Sequence, residues 1–337
     1  MTATHHTGPD TPSGSSGTPG SASPSGTARK PLGSLSVSPL SLGGNVFGWT
    51  ADEAESFAVL DAYVAGGGNF IDTADVYSAW VPGNKGGESE TVIGNWLAAR
   101  GNRDDIVIAT KVGAHPDFKG LSAATIKAGV DASLARLRTD HIDLYYTHYD
   151  DESVEVPEFL TALDDLVRAG KVREIAASNI SAARLSESLD FSRREGLARY
   201  VALQPHYNLV SRDTYEGELA DVAARNGVAA VPYYALASGF LTGKYRPGTT
   251  VDSARSSKAG EYLATDRGPR VLAALDEVAQ AHDAELATVA LAWLAARPTV
   301  IAPIASARTV AQLPSLLAVA DLTLTEAELT LLTEASA

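Results

Sequence analysis

Apolar, strand-like runs alternate with amphipathic helical stretches at a spacing of roughly 25 to 40 residues along most of this chain, and that rhythm restricts the fold more than any other feature. Parallel strands need long crossovers, so strands separated by helical patterns predict βαβ units rather than hairpins. Runs at 69–71, 105–110, 142–146, 172–177, 200–203, 228–232 and 300–303, with a further one at 38–43, make about eight strands. Eight is the number that closes a (β/α)8 TIM barrel, an α/β fold that 337 residues accommodate as a single domain. Helical segments fall at 52–65, 88–100, 122–137, 156–169 and 270–281, and Gly66, Gly101 and Gly170 stand where C-caps end helices. Residues 240–266 lapse into Gly, Pro, Ser and Lys, a connection long enough to be expected as a lid or cofactor loop.

Residues 1–30 are Ser, Gly, Thr and Pro with almost nothing apolar, so they cannot bury enough surface to offset the entropy of ordering. A disordered tail over 1–30 and a barrel over 31–337 are therefore expected. The net charge of −14 argues against nucleic-acid or anionic-membrane partners. Oligomeric state stays open. With no cysteine, disulfides, thiolate metal sites and cysteine nucleophiles are all excluded. Neither a secretory signal nor an apolar run long enough to span a bilayer is visible, which predicts a cytoplasmic protein.

In a parallel barrel the C-terminal strand ends converge on one face, where such enzymes keep their active sites. The run 69–71 ends in Asp72, with Tyr77 five residues on; 106–110 ends in Lys111; 144–147 ends in His148. A Tyr beside a Lys ammonium gains a stabilised phenolate and is expected to donate its proton nearer neutral pH, with Asp72 holding the ammonium in place. A His at the neighbouring strand end can donate a hydrogen bond to a carbonyl oxygen as negative charge develops on it. Together these are parts for carbonyl reduction, and the expected partner is a small-molecule carbonyl or alcohol substrate. Asp72 and Lys111 by themselves also match a structural ion pair within a barrel. A metal site from His148, Asp150 and Asp151 is disfavoured, because adjacent acids in a loop are usually solvated, so no metal is expected.

The stretches 70–77 (FIDTADVY), 109–113 (ATKVG), 163–179 (LDDLVRAGKVREIAASN), 204–208 (QPHYN), 241–245 (LTGKY) and 306–308 (SAR) resemble the aldo-keto reductase superfamily, in the family's order from about residue 32 to the C-terminus. The resemblance implies a TIM barrel binding NADPH/NADP+ across its C-terminal face, a catalytic tetrad of Asp72, Tyr77, Lys111 and His148, and transfer of the pro-R hydride from nicotinamide C4. It places Ser178, Asn179 and Gln204 at the carboxamide and Tyr233 under the nicotinamide ring. It also places Leu236, Gly239, Leu241, Gly243 and Lys244 around the pyrophosphate, and Ser306, Arg308 and Gln312 at the adenosine end. A guanidinium at Arg308 suits a 2′-phosphate better than a ribose hydroxyl, so NADPH is expected over NADH. After the first strand, Gly44 is assigned to the cofactor, while Trp49, Trp80 and Tyr149 are candidate substrate walls that could equally be core.

The sequence departs from the family pattern in places. Ala176 and Ala305 stand where glycine is common, and Leu316 where an adenine-contacting Asn is often found. The run Tyr233-Tyr234-Ala235-Leu236 replaces the commoner Tyr-Ser-Pro-Leu and adds an aromatic, Tyr234. The expected function is NADPH-dependent reduction of an aldehyde or ketone with Tyr77 as proton donor. The same parts could serve an NADP-dependent alcohol or sugar dehydrogenase, or a cofactor-sensing regulatory protein like the potassium-channel β-subunit relatives.

Overall fold

The computed structural model describes residues 1–4, 28–249, 251 and 256–337. Most of the expected tail, residues 5–27, and positions 250 and 252–255 of the expected lid lie outside the described residues.

Eight parallel strands form the barrel: β1 Ser41–Gly43, β2 Phe70–Asp72, β3 Val107–Val112, β4 Ile142–Thr147, β5 Val172–Ser178, β6 Tyr200–Gln204, β7 Ala229–Ala230 and β8 Ile304–Ala305. They pair in the order β7-β6-β5-β4-β3-β2-β1-β8. The ring closes through the residues leading into β8. Ala230 bridges Val300 in parallel, Ala230 N donates to Thr299 O at 2.7 Å, and Ile304 N donates to Pro232 O at 2.9 Å. The expected strand at 300–303 is thus the closing run, but regular pairing to β1 begins only at Ile304, because Pro303 has no N–H to give. Its carbonyl instead accepts from Ser41 N at 3.0 Å. Pro232 shortens β7 for the same reason.

Helices lie between the strands, five of them close to the expected segments 52–65, 88–100, 122–137, 156–169 and 270–281, while Ser256–Leu263 is helical inside the stretch expected as an irregular connection. In chain order they are α1 Glu53–Ala65, α2 Glu88–Arg100, α3 Ala123–Leu137, α4 Val156–Arg168, α5 Ala182–Glu195 and α6 Glu218–Arg225. They continue with α7 Ser256–Leu263, α8 Arg267–His282, α9 Leu286–Ala295, α10 Leu313–Leu317 and α11 Glu326–Ala335. Local chemistry sets the starts. Asp52 and Glu55 form a capping box on α1, and Ser122 caps α3 by accepting from Thr125 N. Gly101 and Gly170 take left-handed φ of 64° and 74° as expected of C-caps, whereas Gly66 has φ −80°. At Gly66 a Cβ would lie 2.5 Å from Leu317 Cδ1, so the end of that side chain would have to move.

Two apolar layers hold the molecule together. Phe70, Leu144, Tyr146 and Ala202 fill the barrel, while a larger cluster including Trp96, Phe159 and Trp293 joins strands to helices. A short antiparallel hairpin, Lys30–Leu32 with Leu35–Val37, adds Leu32, Leu35 and Val37 to the inner layer. No helix among the described residues is long and apolar enough to cross a membrane.

Candidate active site

Asp72 closes β2, Lys111 lies one residue before the end of β3, and His148 follows β4, so parallel pairing in register brings all three to one rim. Tyr77 reaches them from the loop after β2. Lys111 Nζ donates to both oxygens of Asp72 at 2.8 Å, to Thr73 O at 2.6 Å and to the Tyr77 hydroxyl at 3.2 Å. Tyr77 donates to Asp72 at 3.4 Å, and Gln204 Nε2 donates to the same carboxylate at 2.8 Å. Asp72 and Lys111 are each 1% exposed. The side chains so joined come from three strands, β2, β3 and β6, and from the loop after β2.

The electrostatics correct one expectation. Burial, and next Asp72, push the Tyr77 phenol well above its ordinary value, the opposite of the lowering expected from Lys111. Burial is the larger cause, and the ammonium's charge is in addition already met by the carboxylate that also accepts from Tyr77. Burial draws Lys111 below its ordinary value, against Asp72, Asp75 and Glu90, which raise it. Asp75 itself is buried and pushed up to about 7, by burial first and then by Glu90. Tyr77 is thus a phenol, with its proton in place, throughout the neutral range.

His148 is 8% exposed, and its ring stacks on Tyr149 with centroids 4.9 Å apart. Burial, then Lys111, lowers it to about 3, so it is a neutral imidazole with one N–H. A depressed folded pKa contributes stability that is present above the unfolded value near 6.5 and is lost as pH falls toward about 3. Chemical denaturation between pH 7 and 4 should therefore show a loss of a few kcal/mol that His148→Gln largely removes. An unchanged acid slope in the variant would contradict this.

Above the group opens a cavity of about 730 Å³, a size suited to a small-molecule ligand. Its wall includes Asp72, Tyr77 and His148; Trp49, Trp80 and Tyr149; Tyr233, Leu236, Gly239 and Lys244; and Ser306, Arg308 and Gln312. Leu316, noted as a departure, is on the wall too. Other predicted residues stand just behind it. Gly44 donates to Asp72 O at 2.7 Å, and a Cβ there would meet Ser89 Oγ at 2.9 Å; Gly43 and Asn45 line the cavity instead. Ser178 donates to Gln204 O at 2.9 Å, and Asn179 donates to His148 O at 2.8 Å while accepting from Tyr233 at 2.9 Å. Leu241 is fully buried, and Gly243 packs near Leu286.

Several wall residues had no sequence signal, among them Thr50, Ser238, Glu285 and Ser315. Backbone conformation marks this region: Tyr234, Ala237 and Ser238 have φ of 54°, 48° and 57°. Such outliers in non-glycine residues concentrate at functional sites. Lys244 has its ammonium 5.1 Å from the Tyr245 ring centre, and Arg308 bonds Gln312 only through its backbone N–H. Neither cation has an ion-pair partner among the described residues. Two unmatched cations on one cavity wall fit a ligand carrying phosphates.

The model of the Aldo/keto reductase family matches residues 39–337. The chain belongs to the aldo/keto reductase family. It is 34% identical to norsolorinic acid reductase B of Aspergillus parasiticus, with 88% of this chain and 80% of the relative covered. It is 34% identical to protein tas of Escherichia coli, covering 85% and 90%. With aryl-alcohol dehydrogenase [NADP(+)] of Phanerodontia chrysosporium it shares 31% identity over 89% and 83%. The protein is accordingly an oxidoreductase of carbonyl and alcohol groups, with the (β/α)8 barrel of this aldo/keto reductase family.

Proposed function

We propose that this aldo/keto reductase uses NADPH to reduce an aldehyde or ketone to the alcohol, with Tyr77 as the proton donor. The observation that carries the reading is the hydroxyl of Tyr77, set at the cavity floor between the Lys111 ammonium and the Asp72 carboxylate. Lys244 and Arg308 would hold the phosphates, Tyr233 would face the nicotinamide, and Asn179 and Gln204 would exchange their present partners for its carboxamide. The NADP(+) in the name of one relative supports the same cofactor.

When bound, the reduced cofactor supplies hydride to the carbonyl carbon. Tyr77 and the neutral His148 each offer one donor to the carbonyl oxygen, which polarises it and stabilises its developing charge. As the carbon is reduced, the Tyr77 O–H bond breaks and its proton forms the new alcohol O–H. The phenolate so formed has Lys111 Nζ at 3.2 Å, so the ammonium acts at the moment the charge appears. Asp72 keeps Lys111 in position throughout.

The direct test is the loss of NADPH absorbance with a panel of aldehydes, ketones and sugars. Turnover dependent on a carbonyl supports the reading; tight NADPH binding with no turnover on any of them overturns it. Arg308 gives a separate test of cofactor choice. Removing a charge-assisted contact costs roughly 1.5–3 kcal/mol, so Arg308→Ala should weaken NADPH about 10- to 100-fold and NADH by less than about threefold. Equal weakening of both, measured by fluorescence titration, would remove Arg308 from the 2′-phosphate.

A further inference from the structure

Large apolar side chains that remain exposed in a folded chain mark a binding surface when they gather in one place. Among the described residues the exposed ones are Met1, Trp80, Tyr149, Tyr234 and Val310, and the three aromatic rings all lie on the wall of the cavity. Each ring is braced from behind. Trp80 meets Trp49 edge-on at 5.6 Å and Tyr77 at 6.1 Å, and Tyr149 stacks on His148. Tyr234, the extra aromatic of the sequence, is braced most heavily. Its ring lies 5.2 Å from Tyr233 and 5.3 Å from His206, its carbonyl accepts from Asn208 Nδ2 at 2.9 Å, and its φ is 54°. The Lys258 ammonium sits 5.6 Å from the ring centre, presented by α7, which is anchored by buried Ala259 and by Tyr262 on Phe240.

The geometry points to Tyr234 as a specificity-determining residue that, with Trp80 and Tyr149, receives a flat aryl aldehyde or aryl ketone at the cavity mouth. The inference rests on the reductase reading proposed above and adds the substrate class. Rings prefer offset or edge-on contact with other rings, and three fixed rings around one opening favour a planar guest over a puckered one of equal carbon count. Fixing them in advance lowers the entropy that binding must otherwise overcome.

Benzaldehyde and cyclohexanecarbaldehyde share a carbon skeleton and differ in flatness, so the ratio of their kcat/KM values reads the proposed contact. Comparing that ratio between wild type and variant cancels the intrinsic reactivity of each aldehyde. Tyr234→Leu, which keeps bulk and apolar character, should lower the aryl-to-cycloalkyl ratio about fivefold to tenfold, mainly through KM, while Tyr234→Phe keeps it. An unchanged ratio in Tyr234→Leu overturns the assignment. Binding of the two corresponding alcohols to the NADPH-loaded protein, followed calorimetrically, needs no turnover. Benzyl alcohol should bind several-fold tighter than cyclohexylmethanol to wild type and lose that advantage in Tyr234→Leu. Equal affinity in wild type overturns the aryl preference, even where an absence of turnover has separately overturned the reductase reading.

Discussion

Replacing Tyr77 by Phe is expected to lower turnover by two or more orders of magnitude while NADPH binds within about twofold of wild type. The ring is kept, and with it the edge contacts to Trp80 and His148 at 6.1 and 6.2 Å. The hydroxyl alone is lost, together with its bonds to Lys111 and Asp72. Those two groups remain paired with each other at 2.8 Å, so the fold should lose only about 1 kcal/mol. Because burial and Asp72 hold the phenol well above its ordinary value, the wild-type donor stays loaded across the neutral range, and its own ionisation should not limit the rate below pH 9. Single-turnover measurements with bound NADPH separate the chemical step from cofactor release. A rate in Tyr77→Phe near that of wild type, or an equal loss of NADPH affinity, would remove Tyr77 from its proposed role.

The second large effect concerns stability and chemistry together. Lys111→Met leaves the Asp72 carboxylate buried with Gln204 and Tyr77 as its remaining side-chain partners, and breaking one side of a buried pair costs about 3–5 kcal/mol. Adding Asp72→Asn removes the stranded charge, so the double variant should recover much of that stability by urea denaturation. Turnover should stay at least about a hundredfold down in both proteins, because the phenolate of Tyr77 then forms with no cation beside it. Recovery of activity along with stability would make the pair structural, as a barrel ion pair can be. Failure of the double variant to recover stability would point to Lys111 contacts beyond Asp72, of which the bond to Thr73 O at 2.6 Å is the first to consider.

Much of this molecule was legible because its information is local. The alternation of strand and helix patterns predicted the eight-stranded order, and α2 begins and ends at the expected residues, Glu88–Arg100. Asp72, Lys111 and His148 were placed from their positions at strand ends, which suffices once strands are parallel and in register. The N-terminal hairpin was not anticipated: three-residue strands are too short to show a period, and its Pro31 argues against pairing. Regular pairing of the closing strand to β1 begins at Ile304, four residues after the expected start, because the apolar pattern runs on through Pro303 where a donor is missing.

What the sequence by itself determined is the class of fold and which chemical groups arrive at its rim, because both follow from periodicity and from chain order. Tertiary structure alone decided how those groups behave. The direction in which Tyr77 is shifted depends on how completely water is excluded and on Asp72 meeting Lys111 first. The division between cavity wall and supporting layer, with Gly43 in front and Gly44 behind, depends on distances between segments far apart in the chain. The outward exposure of Tyr234 depends on Asn208 and Lys258, which no local pattern links to it. Solvation and Coulomb interaction are set by separation in space, and a sequence records only separation along the chain.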